Sequence, residues 1–304
     1  MFAMAKAISS SNVFLMMCLI TFWGGSFVVV KLAIGEGLTA IALATFRFLI
    51  AGSLFAVALL IVKKVKPSYV LLVDRVHLPT LLFLALTGVT FFFAIQYTGI
   101  QMAGASIASI FVCLLAPILI SVFSARIFNE HLTKKQTVGI GIAAAGTFTV
   151  VASGAFTPQS NMTFLLGSFI LLSTPFLWAT YTIAGKRIME KYDPFLIVAY
   201  VNILGGLLLL PFSLTENSFN QLFTLSLNEW SAILFLAVTC SFLGYFIWFY
   251  VMKQVETAIA SSFLFAEPLI TALFAITLAG EEITVLTIVG GILIFIGVFV
   301  VTKK

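Results

Sequence analysis

The chain repeatedly strings together about 20 apolar residues without a break, and this pattern limits its folds more than any other feature. Wound as a helix rising about 1.5 Å per residue, such a run crosses a hydrocarbon core about 30 Å thick. Inside that core every backbone amide and carbonyl needs a partner within the protein, so only helices and closed barrels are available. The runs are continuous rather than alternating in polarity, which selects helices over barrel strands. They fall near 13–31, 38–62, 79–98, 104–126, 135–153, 163–185, 195–213, 229–251, 258–279 and 284–302. Gly99, Gly104, Pro158, Asn161, Asp193 and Asn217 punctuate the short connections, which leave no room for a soluble domain. The expected fold is an all-α membrane protein of ten transmembrane helices.

Charge tests this expectation. Only 9% of the residues are charged and 62% are hydrophobic, whereas a soluble domain carries about 25% charged residues. In a soluble protein a net charge of +5 would point to nucleic acid. Here the basic residues sit between apolar runs, as an orientation signal does, and no nucleic-acid partner is expected. With the N-terminus inside, fourteen of the sixteen Lys and Arg residues lie on the inner side; Lys31 closes an outer helix end and Arg47 lies within a span. An odd number of spans would scatter these charges over both faces, so both termini are expected to be cytoplasmic. The first run lacks a small-residue cleavage site and reads as a retained helix.

An internal repeat runs through the chain. Pro117, Glu130, Gly139 and Gly146 match Pro268, Glu281, Gly290 and Gly297 at a constant offset of 151, and Trp23 and Lys31 match Trp178 and Lys186 at an offset of 155. The expected units are residues 1–155 and 156–304, with five spans each. An odd number of spans per unit turns the second upside down relative to the first. Inverted repeats of this kind build secondary transporters that open alternately to either side around a midplane site.

The residues that carry this pattern resemble the drug/metabolite transporter superfamily, specifically its EamA-type ten-helix members. The similar segments are W-G-G-S-F-V-V-V-K from Trp23 to Lys31, F-R-F-L-I-A-G from Phe46 to Gly52, A-P-I-L from Ala116 with Asn129–Glu130, and A-E-P-L from Ala266 with G-E-E from Gly280. The resemblance implies two inverted five-helix bundles, with the first four helices of each around a central cavity. It further implies export of amino acids or other metabolites across a bacterial inner membrane. One departure is that Arg47 has no basic counterpart; Asn202 stands at the matching position.

Arg47 and Glu267 are the most informative positions, each about nine residues, or roughly 13 Å, from its nearer helix end. A charge at that depth faces the bundle interior or water. It serves either as half of a structural ion pair or as a contact to substrate or a coupling proton. Pro117 and Pro268 interrupt their helices at matching positions and are hinge candidates. Trp23, Gln96, Tyr97, Trp178, Tyr181, Asn202, Tyr245 and Trp248 are candidates to line a cavity, because polar tips within spans need partners. Lys31 and Lys186 either snorkel or act as gates, and Glu130 and Glu281 are expected to cap the helix that follows. Gly139, Gly141, Gly146, Gly290, Gly291 and Gly297 in the fifth and tenth helices suit close packing, either bracing the protein or forming a homodimer. Cys18, Cys113 and Cys240 read as buried small hydrophobes. Neither a metal cluster nor a catalytic constellation is legible, so the expected protein is no enzyme and takes no cofactor. The leading function is a secondary transporter of small molecules, most of all amino acids, moving them outward; a passive channel and a carrier of other metabolites or drugs are the competing readings.

Overall fold

The computed structural model of the protein describes residues 8–103, 108–130, 132–155, 162–216, 218–279 and 285–302. Among them every regular element is helical. In chain order these are α1 (Ser10–Gly35), α2 (Ala40–Val65), α3 (Arg75–Ala103), α4 (Ile110–Leu115 and Ala116–Ile127), α5 (Lys134–Ala155) and α6 (Met162–Ile188). They continue as α7 (Pro194–Thr215), α8 (Leu227–Met252), α9 (Thr257–Ser262, Phe263–Ala266 and Glu267–Ala279) and α10 (Val285–Thr302). Seven of them, α1, α2, α3, α6, α7, α8 and α9, are long and apolar enough to cross a membrane; α4, α5 and α10 fall outside that set.

Local chemistry explains where helices start. The side chain of Ser9 accepts from the Asn12 amide and that of Thr39 from Ala42, and Ser226 with Glu229 forms a reciprocal capping box. Outward faces remain apolar: Leu60, Ile61, Phe169 and Ile292 are all more than half exposed. In water such a surface would drive aggregation, whereas lipid is its natural solvent.

Equivalent helices of the two halves pack against each other and run antiparallel. A side chain at Gly139 would touch the carbonyl of Gly297, and one at Gly146 the carbonyl of Gly290. As residue number rises along α5 it therefore falls along α10. The same holds for α2 and α7, where Gly52 faces Ile203 and Gly206 faces Phe48. Other contacts between halves come in exchanged pairs: α1 packs on α9 as α4 packs on α6, and α1 on α8 as α3 on α6. This is the geometry of an inverted repeat.

The glycines of α5 and α10 brace the two halves of one chain. Gly139, Gly146, Gly290 and Gly297 are spent on that internal contact, and Gly291 faces Leu269. Gly141 points to open space. Replacing Gly146 by Ala drives a methyl to within 2.7 Å of the Gly290 carbonyl oxygen. It should destabilise the protein by about 1–3 kcal/mol. Gly141→Ala should be neutral or stabilise by up to about 1 kcal/mol through helix propensity. Thermal unfolding of the two variants in detergent separates them; equal shifts would contradict the packing.

Candidate functional site

At the centre of the bundle a cavity with an empty volume of about 460 Å³, counting its open mouth, is lined by residues from α1, α2, α3, α4, α6, α8 and α9. Both halves therefore build it. Arg47 of α2 and Glu267 of α9 face this cavity, and each is at most 3% exposed. Among the described residues they form no ion pair with each other; their hydrogen-bond partners are neutral. Arg47 donates from Nε to Ser241 Oγ at 2.7 Å and from Nη1 to the Tyr97 hydroxyl. Its guanidinium also lies 4.4 Å from the ring centre of Phe93 and 4.9 Å from that of Phe48, a geometry in which the ring faces attract the cation. Glu267 accepts from the Cys113 thiol at 3.2 Å. Arg47 Nη2 and Glu267 Oε1 have no hydrogen-bond partner among the described residues, so each group keeps binding capacity toward the cavity.

Aromatic rings form the walls. Trp23 and Trp178, equivalent residues of the two halves, meet edge to face with ring centroids 5.2 Å apart. Tyr245 packs on both, and Phe92 packs on Trp178 at 5.1 Å. The polar tips are tied down: Trp23 Nε1 donates to the Cys240 carbonyl at 3.0 Å and Tyr245 to the Gly88 carbonyl at 2.6 Å. Those acceptors lie in two π-helical turns, Leu236–Leu243 of α8 and Leu86–Thr90 of α3. A π-turn leaves carbonyls off the regular ladder, and such turns cluster at functional sites.

Helix irregularity also shapes the remaining wall. Pro117 follows the π-turn Ile110–Leu115, and Pro268 follows the tighter turn Phe263–Ala266. Neither proline can donate back into the turn before it. Those turns carry Val112, Cys113 and Leu264, all of which line the cavity. Glycine sets the depth at which Glu267 sits. A side chain at Gly24 would lie 2.9 Å from the Glu267 carbonyl, and Thr271 bridges the Gly24 and Glu267 carbonyls with its hydroxyl. The tandem glycines after Trp23 are thus a seat for α9.

Two stretches of the chain, residues 10–152 and 165–303, match the model of the EamA-like transporter family. The chain belongs to the EamA-like transporter family. An uncharacterised transporter of Archaeoglobus fulgidus is 30% identical over 93% of this chain and 94% of its own length. A probable amino-acid metabolite efflux pump of Salmonella typhimurium is 26% identical over 96% and 95%. A probable terminal-alkyne amino-acid exporter of Streptantibioticus cattleyicolor is 21% identical over 75% and 74%. One solved crystal structure superposes with a TM-score of 0.75 over 96% of this chain and 97% of that one, at 18% identity, and so shares the fold. The protein is an integral, multi-pass membrane protein.

Within this EamA-like chain the residues singled out by sequence separate into groups. Trp23, Arg47, Gln96, Trp178, Tyr245 and Glu267 line the cavity. Tyr97 stands behind it as a prop for Arg47, while Tyr181 and Trp248 pack behind Trp178. Asn202 points elsewhere: its amide donates to the Val198 carbonyl of its own helix at the α2–α7 contact. Cys113 was legible only as a buried small hydrophobe and Ser241 was not singled out, yet they hold Glu267 and Arg47. Ser26, Phe27, Phe92 and Phe93 also line the cavity. Nothing in the sequence distinguishes those phenylalanines from lipid-facing ones.

Lys186 and Glu130 form an ion pair at 2.7 Å across the two halves. Glu130 also accepts from the Thr257 amide and hydroxyl, both at 3.0 Å, so it caps α9 rather than the α5 helix that follows it. Thr133 and Gln136 cap α5 instead. Asn129 adopts φ 54°, a left-handed conformation that asparagine tolerates, immediately before Glu130. This cluster joins the ends of α4, α6 and α9 at one face. Glu281, the equivalent of Glu130, lies outside the described residues.

Tyr97→Phe and Ser241→Ala each strip one hydrogen bond from a buried guanidinium. Each should cost about 1–3 kcal/mol in unfolding free energy, read as a lower denaturation temperature of the purified protein. An unchanged temperature for both would mean that Arg47 is held by other means.

Proposed function

We propose that this chain is a secondary transporter that carries amino acids or related small zwitterions outward by alternating access. One observation carries the reading: a guanidinium and a carboxyl, buried in one aromatic cavity and contributed by opposite halves, have no counter-ion among the described residues. A buried charge without a partner is costly. A ligand bearing a carboxylate and an ammonium offers the missing partner to each. The carboxylate suits the free Nη2 face of Arg47, the ammonium suits Glu267, and an apolar side chain suits Trp23, Trp178 and Phe92.

The architecture supports the mechanism. Two inverted units, residues 1–155 and 156–304, supply two related conformations around a shared site. The Lys186–Glu130–Thr257 cluster ties the halves together at one face, and opening toward that face requires it to part. Pro117 and Pro268 sit where α4 and α9 change helical geometry, which makes them the natural hinges. The positive-inside distribution supports ten spans with both termini cytoplasmic, and the bacterial relatives support an inner-membrane location. The names of the efflux pump and exporter relatives support the outward direction and the amino-acid class.

Counterflow in proteoliposomes loaded with a mixed amino-acid pool tests this. The intact protein should exchange a subset saturably, and Arg47→Ala should reduce that exchange by about tenfold or more, the loss of a hydrogen bond to a charged group. Flux that never saturates would indicate a channel. No exchange from folded, oriented protein would exclude the amino-acid reading.

A further inference from the structure

A second recess lies away from the central cavity, between the ends of α3 and α6, with an empty volume of about 960 Å³ that includes its open side. Pro79, Phe83 and Ala184 form its apolar part, and His77, Arg187 and Lys191 crowd its rim. Phe83 is 43% exposed and lies four positions after Pro79, about 6 Å deeper along α3. Arg187 and Lys191 are both exposed. Among the described residues neither makes an ion pair with a carboxylate. The rim is nonetheless organised. Lys191 Nζ lies 3.4 Å from His77 Nε2, and His77 Nδ1 lies 3.1 Å from the Tyr192 hydroxyl. That hydroxyl donates to Asp74 at 2.9 Å, so the Asp74 carboxylate is engaged by Tyr192.

We infer that this recess is a binding site for an anionic phospholipid of the inner leaflet. The headgroup phosphate sits between Arg187 and Lys191, and an acyl chain lies along Phe83 and Ala184. Charge complementarity selects the occupant. Two cations without an ion-paired carboxylate among the described residues stand where α3 begins and α6 ends, at the face to which the basic residues assign the cytoplasm, and the apolar strip runs from them toward the bilayer centre. A soluble phosphate would use the rim and leave the strip bare, whereas a phospholipid covers both. The inference rests on the proposed orientation for its leaflet only, not on the transport reading.

The test is native mass spectrometry of the purified full chain titrated with phosphatidylglycerol and with phosphatidylcholine. Three forms are compared: the unaltered protein, Arg187→Gln/Lys191→Gln, and the control Lys134→Gln/Lys135→Gln, which removes the same charge elsewhere. The unaltered protein and the control should hold phosphatidylglycerol in preference to phosphatidylcholine. The Arg187/Lys191 variant should bind it about 30-fold more weakly, at about 1 kcal/mol per basic residue. Equal retention of the two lipids by the unaltered protein would overturn the site. So would equal losses in both variants, which would reduce the effect to general surface charge. Lipid binding is read without transport, so this outcome is independent of counterflow.

Discussion

A guanidinium and a carboxyl buried in one apolar protein attract each other strongly, and they stay apart only when each is held by something else. Here Ser241, Tyr97 and two phenylalanine faces hold Arg47, and the Cys113 thiol holds Glu267. All of these partners are neutral. They fix position without cancelling charge, and the cavity between the walls inherits two unmatched ends. An internal salt bridge would have neutralised the site; neutral props leave both groups able to pair with an ion.

Keeping those props in register depends on the antiparallel contact of equivalent helices. Glycine at Gly139, Gly146, Gly290 and Gly297 brings α5 and α10 to backbone contact, and Gly52 and Gly206 do the same for α2 and α7. With the halves locked along these seams, α3, α4, α8 and α9 can carry irregular turns without losing position. The π-turns in α3, α4 and α8 then serve the site: two of them present the carbonyls that hold Trp23 and Tyr245. At one face the Lys186–Glu130 pair couples three helix ends from both halves, so a change in one half is felt in the other.

Much of this was legible from the residues. Hydropathy runs gave the all-helical membrane class, and the offsets of 151 and 155 exposed the repeat whose equivalent helices pack antiparallel. Arg47 and Glu267 stood out because charge is rare at their depth, and the tryptophan pair because its members are repeat-equivalent. Other elements were hidden for physical reasons. Cys113 and Ser241 are small residues whose role depends on a single long-range hydrogen bond. The π-turns follow from tertiary packing that local propensity does not encode. Glu130 was readable as a cap, but which amide it reaches is decided by a fold that brings Thr257 beside it, 127 residues away. Asn202 matched Arg47 in the repeat and yet bonds within its own helix, since the repeat conserves the path of the backbone more closely than the aim of a side chain.

The central claim is that Arg47 and Glu267 recognise the two charged ends of one ligand. A cycle of binding measurements tests it most directly, using an exchanged amino acid, its decarboxylated amine and its N-acetyl derivative against the unaltered protein, Arg47→Gln and Glu267→Gln. Removing the ligand carboxylate should weaken binding to the unaltered protein by about 10- to 150-fold, the worth of a hydrogen bond to a charged group. The same removal should matter only a few-fold in Arg47→Gln, and acetylation should likewise lose its effect in Glu267→Gln. Equal losses in the unaltered protein and its variant would show that the ligand's charges are recognised elsewhere.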